Sequence, residues 1–519
     1  MVIRRFIMTQ TVAAVLLAIF VVFMAAIGVY TSKRSRTMDG FLLGGRNIGP
    51  WISAFAYGTS YFSAVIFIGY AGKTGWTVGI AGIWIGIFNA LVGCLLAWFL
   101  LAKRTRLMSH HLKASTMPEF FAGRYNSKAM KIYAAIIIFV FLVPYSASVY
   151  KGLGYMFSQI FPIFGENGNT VCMLIIAVLT AVYLVLGGYV AAVITDFVQG
   201  IIMLVGVVVM VAIVIKNPIV GGFSEGMRKL SEIVPEGKSL VSLTGGNMFS
   251  FLSMNVILTS VGTWGLPQMI HKYYAINDEK DISKAAVVST VFALVIGIGA
   301  YLTGTFGRLY LNNTLPDGGN YDAVVPTMLV TALSGNVFTN IVLGLILLLV
   351  LSASMSTLSS VVLTSSSAIV VDLLPTVKRN VNQKHQMILM RSICFVFIAV
   401  SFVIASMKIA FIMQLMSFSW GLVAGCFIGP YIWGLYSKKI TKCGAWTGLL
   451  SGLLTVAGVS IFKMSSLGIK DGFAAAASIS QDLGVIAMAI SFVVTPLVSL
   501  FTKKIDTEYI DSVFSCIKK

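Results

Sequence analysis

The 519-residue sequence predicts an all-α polytopic membrane protein, with about thirteen transmembrane helices and a core of two inverted five-helix repeats. Three observations carry that prediction. Hydrophobic residues make up 58% of the chain and charged residues 11%, against roughly 25% charged in an ordinary soluble domain. Thirteen apolar stretches approach the roughly 20 residues that cross a bilayer core as a helix. Two of these stretches, five spans apart, are interrupted by polar and Gly/Pro residues.

In order, the spans fall near 8–31, 49–72, 78–102, 130–162, 170–187, 190–216, 246–270, 284–312, 336–372, 388–407, 410–436, 441–463 and 482–502. Arg4 and Arg5 give the first span the look of a signal peptide. Its apolar run is about twice a usual h-region of 7–15 residues and ends on basic residues instead of a small-x-small site, so it reads as a retained span. The longest loops lie at 103–129, 217–245 and 309–335, and no long polar linker divides the chain. We therefore expect a single membrane domain over 1–519. Its first repeat is 49–216, its second, inverted repeat is 246–436, and 8–31 and 441–502 are peripheral helices.

The net charge of +19 raises the question of nucleic acid, and the placement of charge answers it. With the N-terminus outside, 25 of the 37 Lys and Arg fall on the cytoplasmic side, eleven outside, and Lys151 within a span. The heaviest clusters are Lys33, Arg34, Arg36 and Arg46, then Lys103, Arg104, Arg106, Lys113, Arg124, Lys128 and Lys131. This is the positive-inside bias, which orients the chain in a cell membrane with its C-terminus in the cytoplasm. Arg4 and Arg5 oppose it locally and are outweighed. Cys94, Cys172, Cys394, Cys426 and Cys443 lie in or beside spans and Cys516 in the tail, so no disulfide framework is indicated.

The second span places Gly58, Thr59, Ser60 and Ser63 at mid-membrane, and the seventh clusters Thr259, Ser260, Gly262, Thr263, Gly265 and Pro267. Irregular backbone survives in a membrane only where it lines a cavity, so paired interruptions point to a transporter built from inverted repeats. Five spans is an odd number. The second repeat therefore starts from the opposite face.

The ninth span contains "SASMSTLSS" at 352–360, six hydroxyl side chains in nine residues. At 100° per residue, Ala353, Ser356, Thr357 and Ser360 share one face, with Ser359 at its edge. Single membrane serines commonly bond back to their own helix or ease close packing. Six beside a broken helix suggest oxygen ligands for a hard cation such as sodium, together with carbonyls freed at the break.

Asp196 sits about 9 Å into the sixth span. A carboxylate there costs on the order of 2.5–3.5 kcal/mol even on the lenient insertion scale, so it needs a partner: water at a helix end, a cation or a proton. Lys151 follows Pro144, which is expected to kink the fourth span, and is accompanied by Tyr145, Ser146, Ser148 and Tyr150. Three roles are open to it: snorkelling to the outer face, anchoring a substrate carboxylate, or pairing with Asp196. Enzyme signatures fail. "AGKTG" at 71–75 has Phe67 where a phosphate loop needs Gly, HExxH and CxxC are absent from the sequence, the GxSxG match at 222–226 lies in the loop 217–245 and not on a strand-to-helix turn, and His110, His111, His271 and His385 lie in or near cytoplasmic loops.

The strings "DGFLLGGRNIGPW", "GTSYFS", "GGYVAAVITDFVQG", "GTWGLPQ" and "ASMSTLSSVVLTSSSAIVVDL" give the chain, from about 35 to about 440, a resemblance to the solute:sodium symporter family of proline, pantothenate, sialic acid and sugar co-transporters. That resemblance implies a LeuT-type core. It maps a main sodium site onto the carbonyls of Thr59, Phe62 and Ala353 and the hydroxyls of Ser356 and Thr357. An additional sodium, held in some members, maps onto Asp196, Ser356, Ser359 and Ser360. The implied solute pocket comprises Tyr61, Ser63, Tyr145, Ser148, Lys151, Thr259, Thr263 and Trp264. Proline-type members have Asp where Tyr61 stands and sugar-type members Asn. In a sialic acid member a basic residue near Lys151 engages a carboxylate, which hints at an anionic or zwitterionic solute.

The resemblance thus implies a sodium-coupled symporter importing a small organic solute by alternating access, and not an enzyme. Its expected partners are the solute, sodium ions and the lipid bilayer, with no nucleic acid and no cofactor other than the coupling ion. It is expected to work as a monomer. The rivals are a proton-coupled carrier using Asp196, against which the oxygen stripe argues, and a solute-binding sensor or channel-like protein, against which the lack of a soluble signalling segment after 503 argues.

Overall fold

In hydrocarbon every backbone amide and carbonyl must find a partner within the protein, and a chain of apolar stretches does so as helices. A computed structural model describes residues 2–31, 38–161, 167–234, 239–316, 318–333, 337–377, 382–407 and 410–517. Lys33, Arg34 and Arg36 lie outside the described residues. Among the described residues the only β-type pairing is a single bridge between Ile48 and Ile276. Ten helices among the described residues are long and apolar enough to cross a membrane, or eleven with the bent pair Gly246–Gly265 and Pro267–Ala275 taken as one span.

The expected thirteen is therefore not reached by length and apolarity alone, and the breaks explain why. The first half of the second span is the 12-residue helix Pro50–Tyr61, and its second half runs into the third span within Val65–His111. The fifth and sixth spans form one element, Gly168–Lys216, which turns at Gly188 with φ 58°. That conformation favours glycine, and an added Cβ would lie 2.5 Å from the Phe41 ring. The turn falls between the stretches expected at 170–187 and 190–216. Pro144 lies inside the continuous helix Lys128–Ile160.

Burial separates centre from periphery. The most apolar window of the eleventh span, Ile412–Tyr436, is 94% buried and that of the ninth, Phe338–Thr376, is 83% buried, against 22% for Gln10–Thr31 and 33% for each of Lys442–Leu467 and Ser480–Phe501. The ninth span packs against the first, second and fourth spans and the Gly168–Lys216 element. Its hydroxyl stripe consequently faces protein.

Candidate ion and solute site

The second span breaks at Phe62, which is extended (φ −105°, ψ 114°) and ends the helix Pro50–Tyr61. Backbone groups freed there need partners, and the ninth span and Ser63 supply them. Ala64 N–H donates to Ser354 Oγ (3.2 Å) and Val65 N–H to Ser63 Oγ (3.2 Å). The hydroxyl of Ser356 donates to the carbonyl of Thr59 at 2.8 Å. Thr357 Oγ1 lies 3.3 Å from the carbonyls of both Thr59 and Ser60, and both hydroxyls are 3.1 Å from the carbonyl of Ala353.

Five oxygens, the carbonyls of Thr59, Ser60 and Ala353 and the hydroxyls of Ser356 and Thr357, therefore converge in one buried cleft. Four of them were expected from the sequence. The carbonyl of Ser60 was not, and it is the one Thr357 reaches beside Thr59; Phe62 stands at the break itself. A hydroxyl that now donates to a carbonyl can rotate and turn its lone pairs to a cation, so the set suits a hard monovalent ion.

Next to this cleft Ser60 Oγ and Ser360 Oγ are 2.7 Å apart. Ser360 also accepts from Lys272 Nζ at 2.9 Å, and Lys272 Nζ lies 3.8 Å from Asp196 Oδ2. That is ion-pair range but beyond hydrogen-bond length, and neither Asp196 oxygen has a hydrogen-bond partner among the described residues. Asp196 is fully buried and Lys272 is 2% exposed. Ser359 donates to the carbonyl of Ser356 in its own helix at 2.8 Å. Asp196 and Ser360 thus come together, but around the ammonium group of Lys272, which stands in the helix Pro267–Ala275 just past the span expected at 246–270.

Lys151 meets a different acid. Its Nζ lies 3.4 Å from Asp322 Oδ2 and also donates to the carbonyl of Ala410. Asp322 in turn accepts the N–H of Ile412 at 3.0 Å, at the start of the eleventh span. Burial raises the Asp322 carboxyl above its ordinary range, while Lys151 and the Ile412 amide oppose that shift. Asp322 belongs to the short segment Tyr321–Ala323 between the eighth and ninth spans. Of the roles open to Lys151, pairing is the one seen, with Asp322 and not Asp196.

A small cavity lies where the two broken helices face each other. Tyr61, Ser63, Tyr145 and Thr259, all expected, line it. Ser148, Lys151, Thr263 and Trp264 do not. Ser148 donates to its own helix at the Tyr145 carbonyl, and Thr263 and Trp264 bond the third span at the carbonyls of Gly93 and Val92. The Tyr61 hydroxyl donates to the Thr259 carbonyl at 2.6 Å and so ties one break to the other.

Sequence reasoning missed Tyr70, Asn89, Tyr301, Met416 and Trp420, which line the cavity as well, as does Phe62. The Asn89 Oδ1 accepts from Thr259 and Ser260 at 2.8 and 3.0 Å. Trp420 packs on Tyr61 and edge-on to Tyr145, and its indole N–H has no partner among the described residues. One signal was available: Asn89 is a polar residue in the otherwise apolar third span. The cavity measures about 20 Å³ on the scale where one water takes roughly 10–15 Å³, so as it stands it has room for a water but not for a larger molecule.

Two broken membrane helices, a buried oxygen cleft at one break and a small cavity between them are the features of an inverted-repeat membrane protein. The sodium:solute symporter family model matches residues 41–452. The chain belongs to that family. It is 28% identical to the high-affinity proline transporter PutP of Bacillus subtilis over 87% of this chain and 93% of that one. It is 28% identical to a sodium/proline symporter of Staphylococcus aureus over 85% and 84%. Among solved structures, a substrate-bound, outward-open Na+-coupled sialic acid symporter aligns with TM-score 0.74 at 17% identity, covering 95% of this chain and 99% of that one. Mhp1, a nucleobase-cation-symport-1 family transporter, aligns with TM-score 0.51 at 14% identity, covering 91% and 97%. These likenesses show the fold, the five-plus-five inverted-repeat core.

Proposed function

We infer that the protein is a sodium-coupled symporter that imports a small organic solute by alternating access. The observation that carries this reading is the contact of the Ser356 and Thr357 hydroxyls with the carbonyls of Thr59 and Ser60. Sodium seated among those oxygens joins the ninth span to the break of the second, which in turn shapes the cavity at Tyr61 and Ser63. Ion occupancy and the solute site are thus linked through one short stretch of backbone. Coupling follows if the oxygens hold sodium better in the outward-facing arrangement than in the inward-facing one. The halves 49–216 and 246–436 then rock about the cavity, with the N-terminus outside. Each sodium crossing 100 mV contributes about 2.3 kcal/mol.

The solute to test first is a small zwitterionic carboxylate. The proline-transporter relatives favour it, and so does the amino end of the helical segment Val65–Tyr70, which starts beside the cavity and suits a negative group. Lys151, engaged by Asp322, is not needed for it. A second sodium at Asp196, Ser356, Ser359 and Ser360 requires the Lys272 ammonium to withdraw; in its present place Lys272 supplies the positive charge there. Asp196, buried and without a hydrogen-bond partner among the described residues, supports one alternative, a proton-coupled carrier of the same fold. Uptake of radiolabelled proline and related zwitterions into sealed vesicles, with sodium replaced by choline at constant pH, separates the two. Sodium coupling predicts that accumulation is lost in choline; accumulation that persists there and follows the pH gradient overturns it.

A further inference from the structure

On the surface of the bundle, a groove of about 630 Å³ separates the fifth span from the tenth. Its walls are Val178, Ala181 and Val182 on one side and Phe395 and Val396 on the other, and its polar end is formed by Arg391 and Ser392. The Ser392 hydroxyl is turned back to the carbonyl of Ile388 at 3.0 Å. Arg391 is different: its guanidinium makes no hydrogen bond or ion pair with any described residue, and its Nε is buried without a partner. Arg391 stands three residues past Ile388, where the apolar stretch begins, and so roughly 5 Å below the hydrocarbon edge. An unneutralised charge at that depth is costly.

The stripe that carries Arg391 has an ordered composition. Lys384, Ile388, Arg391 and Phe395 follow one another at intervals of four, three and four residues along Gln383–Ser406, which places them on one helix face. Lys384 is exposed in the first turn, and Ile388 and Phe395 are 56% and 60% exposed. Reading from the helix start inward, the face is cationic, then mixed, then apolar. An acyl chain with a phosphate at its end has the matching order.

The geometry points to a binding site for one anionic phospholipid in the leaflet at this end of the bundle. Its phosphate accepts hydrogen bonds from Arg391, its headgroup lies toward Lys384, and an acyl chain runs over Phe395 and Val396 against Val178 and Val182. A free phosphate ion would satisfy Arg391 but gain nothing from the apolar walls. The bound lipid would bridge a helix from each half of the inverted-repeat core.

The test is a titration of the purified full-length protein in neutral detergent. Phosphatidylglycerol and phosphatidylcholine with the same chains are added, and binding is read by native mass spectrometry and melting temperature. One basic residue near the bilayer surface corresponds to a preference of about fivefold for the anionic lipid. That preference is expected in the wild type, retained in Arg391→Lys and lost in Arg391→Gln, while Phe395→Ala weakens both lipids alike. Equal binding of the two lipids by the wild type overturns the proposal, as does an undiminished preference in Arg391→Gln. Inorganic phosphate that displaces phosphatidylglycerol, or raises the melting temperature as much, overturns it in favour of a free anion.

Discussion

Replacing Ser356 and Thr357 together by Ala takes two of five oxygens out of the cleft and leaves the carbonyls of Thr59 and Ser60 without those donors. A hydrogen-bond-type contact to a charged group contributes about 1.5–3 kcal/mol. The two side chains share the Thr59 carbonyl, so their losses do not simply add. The expected loss of sodium binding is roughly 2–4 kcal/mol, a Kd about 30- to 1,000-fold higher.

Stability without sodium also falls, because each orphaned carbonyl costs about 1–3 kcal/mol unless water reaches it. The diagnostic quantity is therefore the part of stability that sodium adds. At a concentration 100 times the wild-type Kd that increment is about 2.7 kcal/mol, and for a 100-fold weaker site it shrinks to about 0.4 kcal/mol. Melting curves with sodium or choline read it directly, alongside the sodium concentration that half-saturates solute uptake. A folded double variant that keeps its sodium-dependent increment, with half-saturation within twofold of wild type, refutes the ion site.

Lys272→Met leaves the fully buried Asp196 without its cation and is expected to cost about 3–5 kcal/mol. Asp196→Asn in the same chain should restore most of that loss, and a double-mutant cycle on melting temperatures that comes out additive contradicts the pairing. Asn89→Leu orphans the hydroxyl of Ser260 and takes from Thr259, at the cavity wall, one of two acceptors, leaving it the Asn255 carbonyl. It should raise the solute concentration for half-maximal uptake about tenfold, on roughly 1–3 kcal/mol of lost satisfaction, without changing the stabilisation by sodium. Equal effects on both ligands would count against a wall role. Gly188→Ala forces a Cβ into a positive-φ turn 2.5 Å from the Phe41 ring. A loss of about 1–3 kcal/mol is expected, and a melting temperature equal to wild type would show that the turn is not required.

The sequence by itself determined the bilayer as the chain's solvent, from composition and stretch length, and located both helix breaks, because Gly, Pro and hydroxyl residues at mid-membrane conflict with a continuous lipid-facing helix. It also brought out the stripe at Ala353, Ser356 and Thr357, since helical periodicity alone decides which side chains share a face. Of the oxygen cleft, periodicity singled out Ala353, Ser356 and Thr357, the Thr59 carbonyl was expected only through the family resemblance, and the Ser60 carbonyl was not expected, being a backbone atom whose direction depends on how far the break unwinds. The charge pairs were not legible. Asp196 meets Lys272, 76 positions away, and Lys151 meets Asp322, 171 positions away. Asn89, Tyr301, Met416 and Trp420 reach the cavity from the third, eighth and eleventh spans. Those partnerships were decided only by the tertiary structure. Periodicity fixes the face a residue occupies on its own helix, whereas the rotation and height of each helix against its neighbours come from packing the whole bundle.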